Sequence, residues 1–91
     1  MSAIIYTILK ELYVEIHGHG VKARIMSPIN SENSFTFQIN AYFKKSSDGE
    51  SNIPSAMFTS YANAERHLLS YLEDFQNTLD LGGEIAVNTK F

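Results

Sequence analysis

Glu15, His17 and His19 stand two residues apart from one another. On a strand that spacing projects all three from one face, and two imidazoles with a carboxylate form a zinc-type donor set. The same residues also describe the polar end of a strand running into a turn, because Gly18 and Gly20 interleave with the histidines. His67 is the remaining imidazole. On a helix packed across the opposite face of the sheet it lies out of reach of the other two. A metal-dependent protein built on His17 and His19 is therefore an alternative reading, and no metal or other cofactor is expected.

Other chemistry is poorly provided for. The chain has no cysteine, which removes thiolate zinc sites, iron–sulfur clusters, disulfides and a cysteine nucleophile. Serines abound, but none lies in a Gly-x-Ser-x-Gly elbow, and no phosphate-cradling glycine loop occurs. Glu73 and Asp74 are neighbours, so on a helix they point about 100° apart instead of toward one substrate. The expectation is a protein that is not an enzyme.

Charge is divided unevenly. The formal net charge is -3, but residues 1–45 carry +2 and residues 46–91 carry -5. The acidic half concentrates Glu73, Asp74, Asp80 and Glu84 at and beyond the end of a helical segment. Carboxylates there oppose the helix dipole, and the four are candidates for contact with a basic protein partner. The basic half offers Lys22, Arg24, Lys44 and Lys45 with Tyr13 and Tyr42 on strands, the ingredients of phosphate contact and base stacking. That set defines the second alternative, a nucleic-acid-binding module.

The elements that would position these residues can be read from periodicity. Leu12, Val14 and Ile16, then Val21, Ala23 and Ile25, alternate on either side of His17-Gly18-His19-Gly20. With Gly18-His19 at the centre of a type II′ turn, Ile16 faces Val21, Val14 faces Ala23, Glu15 meets Lys22 and Tyr13 meets Arg24. Ile4, Ile5, Ile8, Leu9, Leu12 and Ile16 also fit a helical stripe, so a helix from Ser2 to His17 competes. The density of β-branched residues favours the hairpin, and residues 3–10 stand between a short helix and a leading strand. Residues 35–43 alternate as one long strand. Lys44 to Asn52 is a loop turning at Asp48-Gly49, and residues 53–58 read as a further strand weakened by Pro54.

Thr59 or Ser60 can cap a helix. Tyr61, Ala64, Leu68, Leu72, Phe75 and Leu79 follow at helical spacing, with Leu69 flanking, until Gly82-Gly83. A last strand runs from Glu84 to Lys90, with Ile85, Val87 and Phe91 on one side. The fold class is α+β: an antiparallel sheet of four to five strands with one long helix, about 60–80, on its apolar face. Phe37, Phe43, Leu68, Leu72 and Phe75 are the expected core. No linker divides residues 1–91, which read as one compact domain.

Within residues 35–79, strands closing on Phe58-Thr59-Ser60 precede a helix opening at Ala64-Glu65. That order resembles the three-stranded-sheet-plus-helix DNA-binding units of some integrase arm domains. It is also similar, less closely, to the strand-to-helix junction of double-stranded RNA-binding domains. The resemblance implies nucleic-acid contact from the sheet or the helix start. Those families are rich in Lys and Arg there, whereas this helix start offers Arg66 and His67 beside Glu65.

With 44% hydrophobic residues in 91, one core accounts for most of the chain and leaves little for a buried cleft. Function is expected on the outside. The leading reading is a small cytoplasmic, non-catalytic binding protein without a membrane partner, serving as a regulator, inhibitor or assembly subunit. Proteins of this size and plainness are frequent among phage and mobile-element products. Its partner is expected to be a protein, and open sheet edges also suggest a homodimer.

Overall fold

The computed structural model describes residues 4–30, 33–54, 57–89 and 91. In chain order the elements are β1 (Tyr6–Ile16), β2 (His19–Pro28), β3 (Thr36–Ile39), β4 (Ala41–Lys44), α1 (Tyr61–Asp80) and β5 (Glu84–Val87). The α+β class holds: two antiparallel sheets, one in the order β1-β2-β3 and one of β4 and β5, with a single long helix packed against them. The larger sheet has three strands, fewer than the four to five expected.

The leading segment is strand from Tyr6 onward, not helix. The turn sits on His17-Gly18, one residue earlier than expected, with φ of 50° and 78°. Two left-handed residues make a type I′ turn, whose twist matches the flanking strands. Ile16 therefore opposes His19, Val14 opposes Val21 and Leu12 opposes Ala23. Relative to the expected register the strands slip by two residues. A slip of two keeps every side chain on its face, so the buried face is as expected while its partners change. Glu15 now faces Gly20, Tyr13 faces Lys22 and Glu11 faces Arg24. A bulge between Ile8 and Lys10 leaves Leu9 without a partner in the register.

The expected long strand over residues 35–43 is divided at Asn40. Its backbone N–H donates to the Lys22 carbonyl at 3.0 Å, and its side-chain oxygen accepts from the Lys22 N–H at 3.0 Å. Asn88 then donates from its own N–H to the Asn40 carbonyl at 2.9 Å, and from its amide to the Ile39 carbonyl. Asn40 thus closes β3 against β2 and releases the chain to pair with β5. Among the described residues of the expected strand 53–58, none belongs to a strand. Asn52 and Phe58 each form one isolated bridge, to Phe43 and Phe35, and Ser55 and Ala56 of the expected strand lie outside the described residues.

Ser60 caps α1 by accepting the Asn63 N–H. The helix buries Ala64, Leu68, Tyr71, Leu72, Phe75 and Leu79. Tyr71 takes the flanking position expected of Leu69, which is exposed. At the other end Gly83 N–H reaches the Thr78 carbonyl and Gly82 N–H the Leu79 carbonyl, with Gly82 at φ 95°. That pair of bonds is a Schellman cap. The five expected core residues are all buried, and one apolar cluster joins both sheets to the helix. The last strand stops at Val87, short of the expected Lys90, which lies outside the described residues. Val87 is exposed, whereas Ile85 packs on the core.

Tyr71 ties the helix to the loop after β4. Its hydroxyl donates to the Asn52 carbonyl, and burial pushes the phenol pKa up from its ordinary 10.0. Tyr71→Phe removes the donor and leaves that carbonyl without its partner. The expected cost is about 1–2 kcal/mol, read from the urea unfolding midpoint. An unchanged midpoint would show that water replaces the phenol freely.

Candidate functional site

The hairpin tip does not hang in solvent. His17 meets Asp80 at the end of α1, Nε2 to Oδ1 2.5 Å, and Gln76 donates to the same oxygen at 2.9 Å. His17, His19, Leu79, Gly83, Glu84 and Ile85 line a shallow groove of about 340 Å³ at this corner. The expected trio of Glu15, His17 and His19 does not converge: Glu15 opposes Gly20 within the strand pair, and His17 is engaged by Asp80. Among the described residues no three His, Asp or Glu side chains are placed to hold a metal ion. His67 lies against Phe58, ring centroids 4.8 Å apart.

The acidic candidates separate in the same way. Asp80 and Glu84 belong to the histidine corner. Glu73 and Asp74 stand exposed on the helix.

The basic set is also divided. Tyr13, Lys22 and Arg24 line a groove of about 490 Å³ with Glu11, Leu12, Ala23 and Phe91. There the Arg24 guanidinium covers the Phe91 ring at 4.3 Å from its centroid. It also donates twice to Gln38 Oε1, at 3.0 and 2.8 Å. Tyr42 lines a different groove with Gln38, Pro54 and Asn88. Lys44 donates to the Ser47 carbonyl, and Lys45 sits beside Thr78 and Leu81. Of the six residues expected to bind nucleic acid, Tyr13, Lys22 and Arg24 thus share one groove, while Tyr42, Lys44 and Lys45 lie elsewhere.

A different surface stands out. β1 lies at the edge of its sheet with β2 as its one neighbour among the described residues. Ile29 N–H donates to the Ile5 carbonyl, so Ile5 turns its backbone groups toward β2. By the alternation of antiparallel pairing Thr7 does the same, and Tyr6 and Ile8 turn theirs to the open side; the same alternation carried back to Ile4, just before β1, turns its groups there too. Ile4, Ile5, Tyr6, Ile8 and Leu9 are 41–70% exposed, and Ile29 beside them is 57% exposed. Scattered apolar side chains on a surface are ordinary; a contiguous run along an unpaired edge is not. The residues that signal it are in the sequence. Ile4-Ile5-Tyr6-Thr7-Ile8-Leu9 carries no charge and does not alternate, so on a strand both faces are apolar.

The run ends where the strand is fastened to the helix. Lys10 Nζ meets Glu65 Oε2 at 2.6 Å, and the Tyr61 hydroxyl donates to the same oxygen at 3.3 Å. Hydrogen bonding to Lys10 holds the Glu65 carboxyl below its ordinary 4.5. Hydrogen bonding to His17 holds the Asp80 carboxyl below its ordinary 3.8. Carboxyls depressed in the folded state contribute stability above their unfolded pKa and lose it as pH falls through the folded value. The chain is therefore expected to lose stability progressively below those ordinary values. Combining Glu65→Gln with Asp80→Asn should flatten urea midpoints plotted against pH in that acid range. Parallel curves for the variant and the parent would show that neither pair matters in solution.

No protein-family model, curated protein or solved structure matches this chain. No helix among the described residues is long and apolar enough to cross a membrane.

Proposed function

We propose that this chain is a small, non-catalytic binding protein of the cytoplasm, a regulator, inhibitor or assembly subunit that acts by protein–protein contact. It takes an extended segment of its partner onto the open side of β1. The observation that carries this reading is the uncharged, exposed run from Ile4 to Leu9 along a strand edge that no second strand pairs among the described residues. Recognition by strand addition draws affinity from backbone hydrogen bonds and selectivity from alternate side chains. Here Ile4, Tyr6 and Ile8 supply the outward N–H and carbonyl groups, and apolar side chains on both faces add burial.

The competing surfaces offer less. Phosphate affinity grows with the number of cations brought to bear, and the basic set is dispersed while Arg24 is bonded to Gln38. Affinity capture from native extract tests the proposal, run with the parent chain and with Ile8→Lys. Ile8 is half exposed, so the substitution should leave the fold intact while placing a charge in the strand-pairing surface. A partner kept by the parent and lost by Ile8→Lys supports edge binding. Equal retention by both would place the contact elsewhere.

A further inference from the structure

We infer that the strand taken up by the free edge is the β1 of a second copy, paired antiparallel about a two-fold axis at Tyr6. The inference rests on the edge-binding reading above and names its partner.

Geometry restricts the registers. A two-fold axis perpendicular to a continuous sheet keeps each side chain on its own face, so every residue pairs with one of the same parity. The Ile29–Ile5 hydrogen bond makes the outward backbone groups those of Tyr6 and Ile8, and the same alternation extended one step before β1 adds Ile4. With Tyr6 opposite Tyr6 of the second copy, Ile4 of each chain faces Ile8 of the other. All three then exchange hydrogen bonds in pairs. Ile5 and Thr7 meet each other on the opposite face.

Charge selects this register over those further along β1. Every residue from Ile4 to Leu9 is neutral, so pairing about Tyr6 brings no charge against another. Centring on Lys10 or Glu11 sets like charges directly opposite, which destabilises a strand pair. Lys10 is in addition bonded to Glu65 of its own helix, and the Leu9 bulge interrupts the strand beside it. Between Ile4 and Ile8 the segment is its own complement: β-branched and aromatic residues meet the same types across the axis. A short, apolar, uncharged strand segment is also the composition that stacks on copies of itself.

The interface involves far fewer residues a side than a standard stable one, which has about 20–30. The dimer should accordingly be weak and depend on concentration. Sedimentation velocity from about 1 µM to about 1 mM should show the mass rising from monomer toward dimer. Hydrogen exchange at the Tyr6 and Ile8 N–H groups should slow over the same range, while Thr7, already bonded to β2, should not change.

Four variants test the register. Tyr6→Lys sets two ammonium groups opposite each other and should abolish the dimer. Ile4→Lys or Ile8→Glu alone should weaken it about five- to tenfold. The two together should restore it, because Lys and Glu then face each other twice across the axis. Circular dichroism of each variant confirms the monomer fold. A parent that remains monomeric throughout, a Tyr6→Lys protein that dimerises undiminished, or a double variant no better than its singles would each overturn the inference. If the parent is monomeric yet captures another protein that Ile8→Lys does not, edge binding stands and self-pairing alone falls.

Discussion

Phe75→Ala is expected to cost about 3–5 kcal/mol, a large part of the roughly 5–15 kcal/mol that holds a folded domain together. The ring is fully buried at the joint of the molecule. Its centroid lies 5.3 Å from that of Phe43 on β4 and 6.3 Å from that of Tyr71 one turn earlier. Truncation removes the transfer term and leaves a cavity that two sheets and a helix would have to collapse to fill. Urea unfolding should show either a midpoint far below the parent's or no cooperative transition. Phe75→Leu keeps most of the volume and should cost much less. Leu69→Ala, on the exposed side of the same helix, should shift the midpoint little. If Phe75→Ala unfolds at the parent's midpoint, the helix does not seat this face on the core.

These contrasts show how far the sequence can be read. The helix was legible because its cap, its stripe and its terminal glycines agree within one segment. Tyr71 escaped because a tyrosine beside the stripe reads equally as surface. It is the hydroxyl's reach to Asn52, a contact distant in sequence, that makes burial favourable. The hairpin was legible by face but not by register. Both candidate turns contain Gly18, and alternation of period two cannot distinguish registers that differ by two residues.

The division at Asn40 was hidden for a related reason. Phe37, Ile39, Ala41 and Phe43 are all buried, so the side-chain period runs on unbroken while the hydrogen-bonding partner changes from β2 to β5. Periodicity reports faces, and says nothing of partners. The placing of the charged candidates was hidden too: composition by halves does not say which side chains fold together. His17 and Asp80, 63 positions apart, meet at one corner, whereas Lys22 and Lys45 line separate grooves. The apolar edge was visible as a run without alternation. Its exposure depended on β2 being the one strand beside it among the described residues.

Gly83→Ala is the second substitution expected to be severe, at about 3 kcal/mol, the top of the usual range for overpacking. A Cβ at Gly83 would stand 2.5 Å from Thr78 Cγ2, 2.7 Å from the Lys44 carbonyl oxygen and 2.8 Å from the Thr78 carbonyl oxygen. Two of those three atoms are backbone. One belongs to the Schellman cap that Gly83 itself completes, and the other to the residue that pairs with Glu84 across β4 and β5. Relief therefore requires parting β5 from β4 or opening the helix end, and neither is a side-chain rotation. Gly20 gives the comparison. A Cβ there would come within 2.7 Å of the Tyr13 hydroxyl, but that ring is exposed and can swing away. Gly20→Ala should consequently cost far less than Gly83→Ala. Gly82→Ala meets open space and bears only its left-handed backbone, φ 95°, at about 1 kcal/mol. Urea midpoints in the order Gly20 and Gly82 variants above the Gly83 variant would follow from this seating. A Gly83→Ala protein as stable as the parent would mean that Gly83 does not sit between the helix end and the Lys44 carbonyl, and the two-sheet arrangement would need to be redrawn from that corner.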